Sequence, residues 1–177
     1  MTSKISILYD TIRLEEKLLI ESAKKNDIAI DMVDCKKLFL DLNEKNCLDG
    51  PVLQRCVSYY RNLHSTAALE GQGAKVVNCL NTGIFAGNKL FTHMLLQKAG
   101  VPTPDATVAF SKDSALEALE KHGFPKIIKP TVGSWGRMVS KLNDIRWTAR
   151  LNMNEAVANH FSACVPGSTN FYVNKAG

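Results

Sequence analysis

The feature that most limits what this chain can fold into lies at its start. Ile5-Ser6-Ile7-Leu8-Tyr9 alternates; Leu14, Leu18, Leu19 and Ala23 follow at helical spacing up to Asn26, and Ile28 to Val33 forms a second apolar run. A period of two reads as strand and a period near 3.6 as helix. Two strands joined through a helix lie parallel, and a parallel sheet needs helices against its faces. The reading therefore starts from a βαβ unit. Leu38 to Gly50 reads as an excursion and Pro51-Val52-Leu53-Gln54 as a short third strand. Tyr59 to Gly71 reads as a helix ended by glycine, and Lys75-Val76-Val77-Asn78 as a fourth strand. The expected fold class is α/β, with a parallel-sheet domain over residues 1–83.

A second rhythm begins near Gly87. Leu90, Met94, Leu95 and Lys98 are helically spaced through Ala99, and Gly100, Pro102 and Pro104 supply a stop with a stiff exit. Thr107 to Phe110 reads as a strand, Ser111 as an N-cap, Ala115 to His122 as a helix closed by Gly123, and Phe124 to Pro130 as a strand running into a loop. The expected second domain covers residues 84–143, and a third segment covers residues 144–177, where the rhythm is lost.

Composition enters where it excludes functions. The 177 residues are 45% hydrophobic, enough for one domain or two small ones, and no long apolar stretch or signal-like start suggests export or a membrane partner. Five scattered cysteines without a Cys-x-x-Cys pair suit reduced thiols, so a cytoplasmic location is expected. The net charge of +5 favours anionic ligands, but lysines and arginines sit beside acids, as in Arg13 to Lys17, so no nucleic-acid stripe is expected. His160 and Cys164 are only two potential ligands, and no metal-ligand set is assigned.

The chemistry concentrates in Ile127-Ile128-Lys129-Pro130-Thr131-Val132-Gly133-Ser134-Trp135-Gly136-Arg137, a strand that delivers a lysine to a glycine-containing loop. Glycine admits close approach of backbone N–H groups to phosphate oxygens, and a lysine adds a point charge. A surface hairpin is the competing reading, because the loop lacks the Gly-Lys-Ser/Thr ending of a P-loop. A second lysine, Lys89, near a helix start, meets Lys129 only if the two regions fold together. Arg55, Arg61 and His64 suit either substrate carboxylates and the acidic tail of a partner or an ordinary solvated helix face.

Several motifs together resemble the ATP-grasp superfamily and, within it, the RimK-like ligases of the lysine and arginine carrier-protein pathway. They are Gly133-Ser134-Trp135-Gly136-Arg137, Gln54-Arg55-Cys56-Val57-Ser58-Tyr59-Tyr60-Arg61 with Leu63-His64-Ser65-Thr66 after it, and Ile12-Arg13-Leu14-Glu15-Glu16-Lys17, spread over residues 1 to about 143. The resemblance implies a pre-ATP-grasp domain followed by part of an ATP-grasp nucleotide-binding domain, and an enzyme that uses ATP and Mg2+. Such an enzyme phosphorylates the C-terminal carboxylate of an acidic amino-group carrier protein, and the amine of α-aminoadipate or glutamate then attacks the acyl phosphate. It further implies that Lys89 and Lys129 bind phosphates, that Gly133 to Arg137 close over them, and that the enzyme is homo-oligomeric; because water would hydrolyse an acyl phosphate, Trp135 is expected to shield it as the loop closes.

Beyond Asn143 the resemblance thins. The family's adenine-binding hinge and its metal carboxylates are not found, while Asp144-Ile145-Arg146 resembles the stretch after the hinge. By resemblance Arg146 faces the acyl phosphate or substrate, with a structural salt bridge as the alternative, and Asn174 lies in a glycine-terminated loop that helps bind the amino acid. Two expectations stay open: a piece of a longer ligase, or a non-catalytic shortened form that keeps a carrier-binding or subunit-binding surface.

Overall fold

The computed structural model describes residues 4–45, 48–133, 139–144 and 171–175 of the chain. It divides into two compact units, Met1–Phe85 and Ala86–Gly177.

The first unit is a parallel sheet with helices between its strands. β1 (Ile5–Tyr9) is followed by α1 (Leu14–Lys25), β2 (Ile30–Asp34), β3 (Val52–Gln54), α2 (Tyr59–Gly71) and β4 (Val76–Val77). The strand order is β2-β1-β3-β4, every neighbouring pair is parallel, and Leu8 lies opposite both Val33 and Gln54. β1, central and covered, buries Ser6, Ile7 and Leu8 in succession, where a one-faced strand would alternate. Leu8, Val52, Cys56, Leu69 and Val76 form the core, with Val33, Cys35 and Leu38 packed against it. Burying a leucine or valine completely stabilises by about 1.5–3 kcal/mol, so Leu8, Val52 and Leu69 hold sheet and α2 together. Gly50 allows the turn into β3: its φ is +70°, and a Cβ there would sit 1.9 Å from the Lys4 carbonyl oxygen.

Three expectations change here. β2 starts at Ile30, because the Ile28 N–H still donates to the Ala23 carbonyl at the end of α1 and Asp27 turns the chain at φ +53°. The spacing of Leu14 and Leu18 predicts an inward face for α1, yet these side chains are 68% and 52% exposed, while Glu16 is fully buried. The third is α3 (Leu80–Gly87), which went unanticipated because Asn81, Thr82 and Gly83 are weak helix formers.

The second unit contains α4 (Lys89–Lys98), β5 (Ala106–Ala109), α5 (Lys112–His122), β6 (Lys126–Pro130), β7 (Ser140–Leu142) and β8 (Phe171–Lys175). Its sheet is antiparallel, in the order β5-β8-β6-β7. Leu119 of α5, Ile128 of β6 and Leu142 of β7 form its core with Phe124. Asn88 separates α3 from α4: its extended backbone interrupts the helical path, and its Oδ1 accepts the N–H groups of Leu90 and Phe91. Asn174, expected in a loop, lies in β8, opposite Ala106 and Ile127. Phe171, Tyr172 and Val173 suit a strand better than a loop.

Candidate functional site

Two charged clusters are built, one in each unit. In the second unit, β6 ends by delivering Lys129 and Pro130, and the next residues fold back on the start of α4. The Lys89 N–H donates to the Thr131 carbonyl at 2.8 Å, and Asn88 forms an antiparallel bridge with Val132. This pins the first turn of α4 to the exit of β6, so that Lys89 Nζ donates to the Gly133 carbonyl at 2.7 Å. Gly133 has φ +152°, and a Cβ on it would meet Pro130 Cγ at 3.2 Å, so any side chain would be strained and crowded there. Partial burial lowers the Lys89 ammonium below its ordinary range, and the neighbouring Lys129 charge lowers it further. Two like charges are thus held together at the mouth of a glycine loop. Such a pair gains from an anion, and an ammonium has three donors of which the Gly133 bond takes one.

In the first unit, the second cluster sits at the carboxyl ends of β1 and β3. Asp10, immediately after β1, is buried, its Oδ1 accepting the Val57 N–H and its Oδ2 the Ser58 N–H. Arg61, in the first turn of α2, adds a bond from Nη1 to Asp10 Oδ2 at 2.7 Å. Burial is the largest influence on the Asp10 carboxyl and pushes it up, but the two backbone bonds and the Arg61 guanidinium together leave it below the ordinary carboxylate range. Glu16 is more strongly held. Its Oε2 accepts the Arg13 N–H and Nε, and its Oε1 accepts Arg13 Nη2 and Arg55 Nε. The Arg13 side-chain bond lowers its pKa most, and despite burial the carboxyl falls to about 2. Gln54 ties the end of β3 to α2 through Nε2, which donates to Ser65 Oγ and Thr66 Oγ1.

Of the residues singled out from sequence, Lys89, Lys129 and Gly133 come together in one unit. Arg55 and Arg61 join Glu16 and Asp10, whereas His64 is exposed on α2 with its ring 6.1 Å from that of Tyr60. Ser134, Trp135, Gly136, Arg137 and Arg146 lie outside the described residues, and for Asn174 only the strand backbone is described. Sequence reading missed Asp10, Arg13 and Glu16. A signal existed for Glu16: a glutamate three residues into a helix commonly reaches back to the N-cap N–H, as it does here.

Residues 5–84 match the model of the LysX preATP-grasp domain. The chain is 36% identical over 142 residues to a protein of Sulfolobus acidocaldarius named glutamate–LysW ligase ArgX, covering 80% of this chain and 50% of that protein. It is 38% identical over 144 residues to one of Sulfurisphaera tokodaii named alpha-aminoadipate–LysW ligase LysX, covering 79% of this chain and 50% of the relative. The chain thus spans about half the length of the curated relatives it matches. In fold it is similar to a RimK domain ATP-grasp protein of Sphaerobacter thermophilus, with a TM-score of 0.74 and 22% identity over 98% of this chain and 64% of that one.

Proposed function

Since the chain is a LysX-like member of the ATP-grasp superfamily, we propose that it serves ATP-dependent ligation of an amino acid to a carboxylate of an acidic carrier protein of the LysW type. The observation that carries this reading is the convergence of Lys89 and Lys129 beside the Gly133 loop. The amino acid is glutamate or α-aminoadipate, as the names of the two relatives suggest.

Ligation through an acyl phosphate requires a carboxylate oxygen to attack the γ-phosphorus as ADP leaves; an amine then attacks the acyl carbon, and phosphate departs. Catalysis of the first step is mostly positioning and charge neutralisation. Lys89 and Lys129 supply the charge: their ammonium groups bind the nucleotide phosphates and offset the negative charge that moves to the β–γ bridging oxygen. Gly133 keeps the loop close to them. Among the described residues no group of three or more His, Cys, Asp or Glu side chains is placed to hold a metal ion. Mg2+ bound with the nucleotide would supply further charge neutralisation. Arg146 contacts the acyl phosphate or the amino acid in this reading, and Asn174 the amino acid. In the same reading Gly133 to Arg137 close over the phosphates, and Trp135 keeps water from the acyl phosphate. The reading places the protein in the cytoplasm as a homo-oligomer.

The test is ADP release by the purified protein with Mg2+, an acidic carrier protein and either amino acid, beside Lys129→Ala. Turnover that requires every component and falls at least tenfold in the variant supports the ligase and names its amino acid. Absence of turnover from a folded preparation that also fails to bind ADP sinks the reading.

A further inference from the structure

We propose that Cys35 and Cys56 are a reversible oxidation site, two thiols placed to close a disulfide across the carboxyl end of β1. The site belongs to the first unit and stands independently of the ligase reading. Register brings the pair together. Tyr9 lies opposite Asp34 of β2 and Leu8 opposite Gln54 of β3, so Cys35 and Cys56 both fall level with Asp10, one on each side of β1. Backbone bonds keep that register past the ends of β2 and β3: the Cys35 N–H donates to the Tyr9 carbonyl and the Arg55 N–H to the Leu8 carbonyl, each at 2.7 Å. Residues at one level of a parallel ladder share a face. Cys56 is accordingly buried with Leu8 and Leu69, Cys35 packs against the same cluster, and the two thiols are in hydrogen-bonding contact.

Both thiols are free, and their surroundings give them different parts. Cys35 is half-buried, so an oxidant from solvent reaches it first. Cys56 is buried, with its Sγ 4.0 Å from the Leu8 carbonyl oxygen, and burial pushes its thiol well above the ordinary range, so it waits in the protonated form. The Arg61 guanidinium, held by Asp10, interacts electrostatically with both sulfurs, while Asp10 opposes it at Cys56. A thiolate formed during the reaction therefore has a cation beside it.

Hydrogen peroxide is a sufficient oxidant. The Cys35 sulfur attacks one peroxide oxygen; an S–O bond forms, the O–O bond breaks, and the leaving hydroxide departs with the Cys35 proton as water. The Cys56 sulfur then attacks the sulfenic sulfur of Cys35; the S–S bond forms, the S–O bond breaks, and hydroxide leaves with the Cys56 proton as a second water. Two thiols lose two electrons and the peroxide gains them. Neighbouring strands are about 4.8 Å apart, so β2 and β3 stand roughly 10 Å apart across β1, whereas bridged Cα atoms lie within about 6.8 Å. The bond therefore draws the two strand ends together, and a strained disulfide is readily reduced again. Cys56 directly precedes Val57 and Ser58, whose N–H groups hold Asp10, so oxidation also shifts the seat of Asp10 and Arg61.

The experiment treats the full chain with hydrogen peroxide, blocks the remaining thiols with N-ethylmaleimide and maps the peptides by mass spectrometry. The expected product is a peptide pair joined through Cys35 and Cys56 that reduced glutathione separates. Dimedone, which traps sulfenic acid, should label Cys35 at least tenfold more in Cys56→Ala than in wild type, because the resolving thiol is gone; circular dichroism checks the fold of the variant. If Cys35 and Cys56 both remain thiols while the exposed Cys79 is oxidised, the proposal is overturned and the pair are core neighbours only. Bridges from either residue to Cys47, Cys79 or Cys164 in place of the expected one overturn it too, as does equal dimedone labelling of the two proteins. A Cys35–Cys56 bridge that glutathione leaves intact is a structural staple and overturns the reversible site. Mapping of the wild type decides the matter by itself if Cys56→Ala does not fold.

Discussion

The two charged clusters differ in what they do with their charge. Around Glu16 and Asp10, opposite charges meet at 2.7–3.1 Å and the carboxylates are buried, so the cluster is satisfied by the protein itself. Around Lys89, like charges meet, and its ammonium donates to the neutral Gly133 carbonyl. The first arrangement lowers the energy of the folded chain as it stands. The second costs folding energy that an anion would return. A residue set that is worse than neutral for stability is the better mark of a ligand site.

The largest effect that would test this contrast is Glu16→Ala. It leaves Arg13 and Arg55 beside a hole where their shared carboxylate stood, and should destabilise the first unit by roughly 3–5 kcal/mol in urea unfolding. A cost under about 1 kcal/mol would show that the pair is exposed in solution and dissolve the contrast. Acid gives the same answer without mutation. Glu16 titrates near 2 when folded against 4.5 as a free side chain, so its contribution of about 3 kcal/mol is whole above pH 4.5 and disappears as pH falls through 2.

Lys89 should show the opposite sign. Its folded pKa is lowered, so the unfolded chain binds more protons than the folded one between the lowered value and 10.5, and stability rises with pH across that window. Lys89→Met should leave stability within about 0.5 kcal/mol of wild type, or raise it, while weakening ADP binding by about tenfold, or 1.4 kcal/mol, in calorimetry. A loss of stability without a loss of ADP affinity would make Lys89 a strut for the Gly133 loop. The smallest effect belongs to Asn88→Ala, which removes the cap of α4 and should cost about 1 kcal/mol by thermal unfolding. Because that cap orients Lys89, a matching two- to fivefold loss of ADP affinity would sharpen the link between helix start and site; an unchanged affinity would cut it.

Much of this molecule was readable in its residues. The strands Ile5–Tyr9 and Val52–Gln54, the helix Tyr59–Gly71 and the caps Ser111 and Gly123 follow from local periodicity and capping chemistry, which need only neighbours along the chain. The pairing of Lys89 with the glycine loop was conditional in sequence, since 40 residues separate Lys89 from Lys129 and no local rule joins them. Asp10 and Glu16 were invisible as a site. In sequence Glu16 is one acid in a mixed run, and only the return of β3 beside β1 brings Arg55 to it.

The sequence by itself determined the kind of chain this is: alternating strand and helix, a lysine and glycines after an apolar strand, and motifs that place it among ATP-grasp relatives. Only the tertiary structure decided which charges are neighbours. Helices and turns arise from interactions over a few residues, whereas a buried ion pair arises where distant segments exclude water together, and its partners are set by strand order.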